Sequence, residues 1–337
     1  MNVTGLRLLH LGHVDPFYLH AAYSGLAESL HEDDPGWLLL ARSARGHVAL
    51  GASQYADAEL DIEACRRLQT PIVQRPLGGG SVWVDKHQLC VFFIVPRRER
   101  QQDFFSRCLR VLRAMYSELG VAAKVVRDQD IWAGGSKLLG SGGASIGKAQ
   151  VFGASIIELF AAEQFAACVT APSQGYRAWL ETLLLDHMTD LGRLGVEAEE
   201  EKIVDALKKA CESEWQLCAA KGIEAPEQAA IDAALKELKE PLETGGIRRI
   251  RHGIKINAQT YLFEDAASPW IRVVWRAGAL VRSDSQDTKI HEVLHGILEQ
   301  PLLPGMVMRQ ALQLGIAEKE ARSLDQRIVT LVQDAGK

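Results

Sequence analysis

The chain has 337 residues, 47% of them hydrophobic and 24% charged, a globular balance with enough length for two domains. A net charge of −5 argues against a general nucleic-acid binder, and no apolar run reaches the roughly 18 residues that a membrane span requires. The six cysteines (65, 90, 108, 168, 211 and 218) form no CxxC pair and no zinc-like spacing with histidine, so they read as free thiols in a reducing cytoplasm. The opening residues lack a basic segment followed by an apolar run, so no signal peptide is expected.

In chain order, residues 16–31 predict a helix, and "GWLLLARS" and "GHVALGASQ" predict two strands around a Gly/Ser/Arg turn. "DIEACRRLQTP" predicts a short helix feeding the strand "PIVQRP". "SVWV" and "LCVFFIVP" follow as strands; the second is apolar at every position, as a central strand covered on both faces must be. Residues 103–119 place Phe104, Cys108, Val111, Leu112, Met115 and Leu119 at helical spacing, with Asp103 as cap and Gly120 as stop. "DIWAGGSKLLGSGGASIGKAQVFGASIIEL" predicts short antiparallel strands with tight turns. From about 165 to 240 the pattern is helical, including "EEEKIVDALKKACESEWQLCA" and "APEQAAIDAALKELKE". The polar "EPLETGG" marks a boundary, giving expected domains at 1–245 and 246–337. Beyond it, "GIKINAQTYL", "WIRVVWRAG" and "ALVRSDS" predict a small antiparallel sheet, and 289–299 and 303–335 predict helices.

Two stretches carry candidate chemistry. In "RPLGGGSVWVD" three glycines interrupt what is otherwise sheet; such a run is either a structural turn or a backbone left bare for a ligand. Arg75, three residues ahead of Gly78, is close enough in sequence for its guanidinium to join the N–H groups of Gly78, Gly79 and Gly80 in holding an anion. The context is neither strand-then-helix nor GKS/GKT, so it is not a Rossmann or P-loop glycine motif. In "DIWAGGSKLLGSGGAS", Lys137 is flanked by glycine turns. It is either a solvated surface charge or an ammonium held to bridge a carboxylate and a phosphate. His291 and His295, four apart on a helix, lack a third partner for a metal, and no metal site is expected.

On these residues the chain resembles the lipoate–protein ligases of the biotin/lipoate ligase and octanoyltransferase superfamily. Gln74, Arg75, Pro76, Leu77, Gly78–Gly80, Ser81, Val82, Trp83, Val84 and Asp85 follow the family signature Arg-Arg-x-(Ser/Thr)-Gly-Gly-Gly-Ala-Val-(Tyr/Phe)-His-Asp. Gln129, Asp130, Lys137, Leu138, Leu139, Gly140 and Ser141 follow its later Asn-Asp…Lys-(Ile/Val)-x-Gly-Ser block, and Gln54 falls on its upstream glutamine. The resemblance implies an α+β fold, a large mixed sheet flanked by helices, with a smaller α+β accessory domain. It implies that lipoate (or octanoate) and ATP, as the Mg²⁺ complex, give an acyl-adenylate, whose acyl group then passes to a lysine of an acceptor. That acceptor would be a lipoyl domain, a glycine cleavage H protein or an H-like lipoate-binding protein. The enzyme is expected to be a monomer with no nucleic-acid or membrane partner.

Carried over by position, Lys137 is the catalytic residue, touching acyl carbonyl and α-phosphate. The ATP and lipoyl-AMP site comprises Arg75, Gly78, Gly79, Gly80, Ser81, Val82, Trp83, Gln129, Asp130, Lys137, Gly140, Ser141 and Gly153, with Gln54 in the substrate pocket. The basic cluster "RRIRHGIK" reads as a solvated strand edge or as a surface for an acidic acceptor or the AMP phosphate. Gln74, Leu77, Val84 and Gln129 depart from the signature, marking a divergent branch. Two alternatives remain: a transferase that forms a thioester on Cys168, and a descendant that binds lipoate without activating it.

Overall fold

The computed structural model describes residues 5–197 and 199–335. The chain divides into two compact units, Met1–Val169 with Met188–Gly246, and Thr170–His187 with Ile247–Lys337. Among the described residues no helix is long and apolar enough to cross a membrane.

The first unit runs β1 (Gly5–Val14), α1 (Pro16–Glu28), β2 (Gly36–Ser43), β3 (His47–Leu50), α2 (Ala56–Glu59), α3 (Ile62–Arg67), β4 (Ile72–Gln74), β5 (Val82–Val84) and β6 (Gln88–Pro96). It continues with α4 (Gln101–Glu118), β7 (Lys124–Val126), β8 (Asp130–Ala133), β9 (Ser136–Ile146), β10 (Ala149–Ile157) and α5 (Ala162–Cys168). The chain then contributes α6 (Gln174–His187) to the second unit and returns for α7 (Glu200–Cys211), β11 (Gln216–Ala219) and α8 (Ala225–Leu238). The second unit is completed by β12 (Gly253–Lys255), β13 (Thr260–Asp265), β14 (Ile271–Arg276), β15 (Ala279–Ser285), α9 (Thr288–His295), α10 (Met306–Gln313) and α11 (Glu318–Val332).

Eight strands form the main sheet in the order β11-β1-β2-β6-β10-β9-β8-β7. It is mixed: β1 runs parallel to β2 and β11, whereas β2–β6, β6–β10, β10–β9 and β9–β8 are antiparallel. β6 is apolar throughout because both its faces are covered. Val91 and Phe93 join Leu38, Leu40, α4, α7 and Trp215 in one core; Cys90, Phe92 and Ile94 join Trp37, Leu39 and α1 in the other. Asp15 caps α1 by accepting from Phe17 N, and Pro16 opens the helix. α8 lies against α1 so closely that a Cβ on Gly25 would meet Ile231 N at 2.4 Å. A separate small sheet, β4-β3-β5, holds both ends of the glycine loop.

In the second unit, β12-β13-β14-β15 share a core with α9, α10 and α11. Buried Arg272 pairs with buried Glu264 and donates to Ser173 Oγ at 3.0 Å, which fastens the chain ahead of α6 to this sheet. Trp179 of α6 receives two guanidinium groups, Arg282 at 3.7 Å and Arg272 at 5.2 Å from its ring centre.

The α+β class with a large mixed sheet and a smaller second sheet is as expected from sequence. Several elements differ. "WQLCA" is not helical: Trp215 is buried and Gln216–Ala219 pair in parallel with Gly5–Leu8. "GIKINAQTYL" is two strands, turned where Asn257 Oδ1 accepts from Gln259 N and Thr260 N. The expected helix at 303–335 breaks into α10 and α11 at Gly315, whose φ is +76°. Helix α4 starts at Gln101, so Asp103 lies in the first turn and pairs with Arg100 instead of capping.

Candidate functional site

Strand β9 brings the two glycine-rich stretches together. Its residues 140 and 142 share one face, and Gly153 of β10, which pairs with Gly142, lies on that face too. A Cβ on Gly140 would meet Lys137 Cε and Nζ, each at 2.9 Å; one on Gly142 would meet Gly78 O at 2.9 Å; one on Gly153 would meet Leu77 Cδ1 at 2.6 Å. These three glycines are therefore seats for protein groups. Gly140 seats the Lys137 ammonium, and Gly142 with Gly153 seats the start of the glycine loop. Two residues along one strand put the two seats about 7 Å apart.

Lys137 owes its position to a bulge between β8 and β9, and its own carbonyl accepts from Thr189 N at 2.8 Å. Its ammonium pairs with Asp130 Oδ1 at 2.9 Å, in a setting where Lys137 is 20% and Asp130 10% exposed. Ser141 Oγ donates to Gln129 O at 2.6 Å, tying the turn ahead of β8 to β9. Gln129 itself is exposed.

The glycine loop is held from several sides. Gly78 N donates to Gly143 O at 3.2 Å, and the loop's other side dovetails with the 51–54 turn, where a Cβ on Gly51 would meet Gly79 O at 2.0 Å. Gln54 Oε1 accepts from Gly51 N at 3.0 Å and Ser81 Oγ at 3.1 Å, while Gln74 Nε2 donates to Gln54 O at 2.9 Å. Gly79 has φ +106°, a conformation that needs glycine, and Gly79 and Gly80 are exposed.

Arg75 does not face outward as the sequence reading had it. It is 7% exposed and donates to Ala49 O, to Gly78 O at 3.3 Å and to Gly80 O at 2.7 Å, so it braces the loop from within. Among the described residues no carboxylate pairs with it, and burial pulls its pKa down to about 10. The expected three-amide nest is also smaller: Gly78 N–H is spent on Gly143, which leaves Gly79 and Gly80. Val82 is exposed and Val84 buried on β5. Trp83 donates Nε1–H to Asp85 Oδ2 at 2.8 Å and lies over Gly46. It faces a groove of about 580 Å³ with Arg45, Leu68 and Glu163; Lys137 and the loop glycines are not among the groove's lining residues.

Cys168 is 1% exposed in a small apolar cluster, and its backbone carbonyl accepts from Cys65 Sγ at 3.8 Å. It is packed like a core residue, without the access that a thioester nucleophile requires. Gly142 and Gly143, which receive the loop, stood in the quoted "LGSGGAS" but were not among the expected site residues.

The profile of the lipoyl protein ligase A/B catalytic domain matches residues 15–212. A curated relative from Aeropyrum pernix, named "Putative lipoate-protein ligase A", is 26% identical over 110 residues; the match covers 33% of this chain and 42% of that relative, less than half its length. Among solved structures, the bi-partite lipoate protein ligase of Thermoplasma acidophilum, described with its E2 lipoyl domain, superposes with TM-score 0.64 at 18% identity, over 69% of this chain and 93% of that one. A lipoate-protein ligase A bound with ATP gives 0.60 at 19%, over 69% and 95%. P. falciparum LipL1 in complex with lipoate gives 0.55 at 13%, over 97% and 100%. The superpositions establish the fold, and the profile match covers more than half of the sequence: the chain belongs to the lipoyl protein ligase A/B catalytic-domain family.

Proposed function

We propose that the protein is an ATP-dependent lipoate–protein ligase. The observation that carries this reading is the shared face of β9, with a seated ammonium at Gly140 and the glycine loop at Gly142. A carboxylate oxygen of lipoate attacks the α-phosphorus of ATP, which enters with its Mg²⁺ as substrate, and pyrophosphate leaves. Lys137, exchanging Asp130 for the incoming anions, stabilises the charge that builds between carboxylate and phosphate. The uncompensated charge of Arg75 beneath Gly78–Gly80 makes the loop attractive to a phosphate laid on the two free amides, even though the guanidinium itself stays behind it. In the second step the Nζ of an acceptor lysine attacks the acyl carbonyl and AMP leaves.

The Thermoplasma acidophilum ligase is described together with its E2 lipoyl domain, and a lipoyl domain is the acceptor we assign. An H protein offers the same lysine chemistry. The first unit serves as catalytic domain and the second as accessory domain. Six free thiols fit a cytoplasmic enzyme. Lipoate-dependent ATP–pyrophosphate exchange tests the reading. Lys137→Ala should lose roughly 100- to 1,000-fold of that exchange while remaining folded, the range typical of a lost transition-state donor. Near-normal exchange in the folded variant overturns the assignment.

A further inference from the structure

Behind the glycine loop lies a file of polar side chains that the adenylation chemistry does not use. Tyr23 and His20 come from α1, Ser43 ends β2, and His47 begins β3; all four are at most 3% exposed. Ser43 Oγ lies 2.7 Å from Arg45 O and 3.1 Å from His47 Nδ1; His47 Nε2 lies 3.0 Å from His20 Nε2; His20 Nδ1 lies 3.4 Å from the Tyr23 hydroxyl. The Tyr23 ring lies in the same buried core as Leu77, the residue that leads into the glycine loop.

Proton bookkeeping allows one direction. A carbonyl only accepts, so the Ser43 hydroxyl donates to Arg45 O and its oxygen is left to accept from His47 Nδ1–H. His47 Nε2 then carries a lone pair, and His20 Nε2–H must donate to it. That leaves His20 Nδ1 as the acceptor of the Tyr23 hydroxyl. Every member is satisfied only while both rings are neutral. A proton on His47 Nε2 would point two N–H groups at each other across the 3.0 Å contact, and one on His20 Nδ1 would face the Tyr23 hydroxyl and take away its acceptor. The charged groups around the file agree: Arg75 acts against a positive charge on both rings and Arg45 against one on His47, with Asp15 the opposing carboxylate. Tyr23 is further fixed by stacking on Phe92 at 4.4 Å.

We propose that Ser43, His47, His20 and Tyr23 form a one-way hydrogen-bond relay that fixes the Tyr23 ring in the core it shares with Leu77 and thereby sets the position of the glycine loop. These are positioning residues, and their link to catalysis rests on the ligase reading above. The relay itself is tested without it. Long-range ¹H–¹⁵N NMR of the full chain at pH 7 should show His47 protonated at Nδ1 and His20 at Nε2, both neutral. The opposite tautomer at either ring, or an imidazolium, overturns the relay, and this measurement needs no variant.

Tyr23→Phe cuts the relay at the ring that shares its core with Leu77. Amide exchange at Leu77 should then rise at least tenfold while β6 amides keep their protection, and the KM for ATP in pyrophosphate exchange should rise with kcat little changed. An unaltered Leu77 exchange rate in the folded variant overturns the relay's hold on the loop. Faster exchange at Leu77 with unchanged nucleotide affinity upholds the relay and counts instead against the loop as the nucleotide site.

Discussion

Gly140→Ala is the smallest change that tests whether the seat of Lys137 matters. It adds one methyl group and removes no functional group. That methyl would stand 2.9 Å from Lys137 Cε and Nζ and 3.9 Å from Asp130 Oδ1. Ordinary contact needs about 3.5–4.0 Å, so the ammonium must move by about 1 Å, whereas the carboxylate need not move. Gly140 lies in β9 outside the left-handed region, so the backbone accepts alanine and gains about 0.5 kcal/mol in the unfolded-state term. Weakening a partly exposed ion pair costs about 0.5–1 kcal/mol. The two nearly cancel, and urea unfolding should place the variant within about 1 kcal/mol of wild type. Misplacing a catalytic group by about 1 Å costs on the order of 100-fold in rate. Lipoate-dependent pyrophosphate exchange should therefore fall about 100-fold in a protein of unchanged stability. Full activity in that variant would refute the claim that Gly140 holds Lys137 where the chemistry needs it.

Two further outcomes follow from buried groups. Arg75→Met should lower unfolding free energy by about 2–4 kcal/mol, since it strips donors from Ala49 O, Gly78 O and Gly80 O while relieving one buried charge; an unchanged urea midpoint would show that the guanidinium does not brace the loop. Burial, with Arg75 adding to it, pulls His47 down to about 4 from its ordinary value near 6.5. The unfolded chain then takes up a proton that the folded one refuses, so stability is intact above pH 6.5 and falls as pH drops toward 4, by about 3 kcal/mol for this ring. His47→Gln should flatten that part of the stability–pH curve, and a wild-type curve level from pH 6.5 to 4 would contradict it.

The three-glycine run and Lys137 were legible because those residue types stand out against a sheet pattern. Which way a side chain points was not. Arg75 lies three residues ahead of Gly78, a spacing that fits a guanidinium in front of the loop as well as one behind it; only the nearby carbonyls of Ala49 and Gly80 decide the matter. Gly140 and Gly153 read as ligand-lining by their position in the family resemblance, yet the space beside each is taken by Lys137 and Leu77. β11 was invisible for another reason: four residues with no alternation become a strand only by pairing with β1, at the other end of the unit's sequence. His20 and His47, 27 positions apart amid apolar residues, carry no local sign of their contact.

The loan of α6 to the second unit has a consequence for how the protein is made. Its apolar side, Tyr176, Leu180, Leu183 and Leu184, is buried in the finished molecule, with β13 among its neighbours. During synthesis α6 leaves the ribosome before α7, β11 and α8, and its covering strands emerge only after all three. The nascent chain must therefore shelter a greasy helix while the rest of the first unit is assembled around the gap, an interval in which chaperones or aggregation compete. The same topology dictates how the protein is cut for experiments. A truncation after Gly246 would keep α6 and discard β13, against which it packs; a clean excision has to take out residues 170–187 together with 247–337.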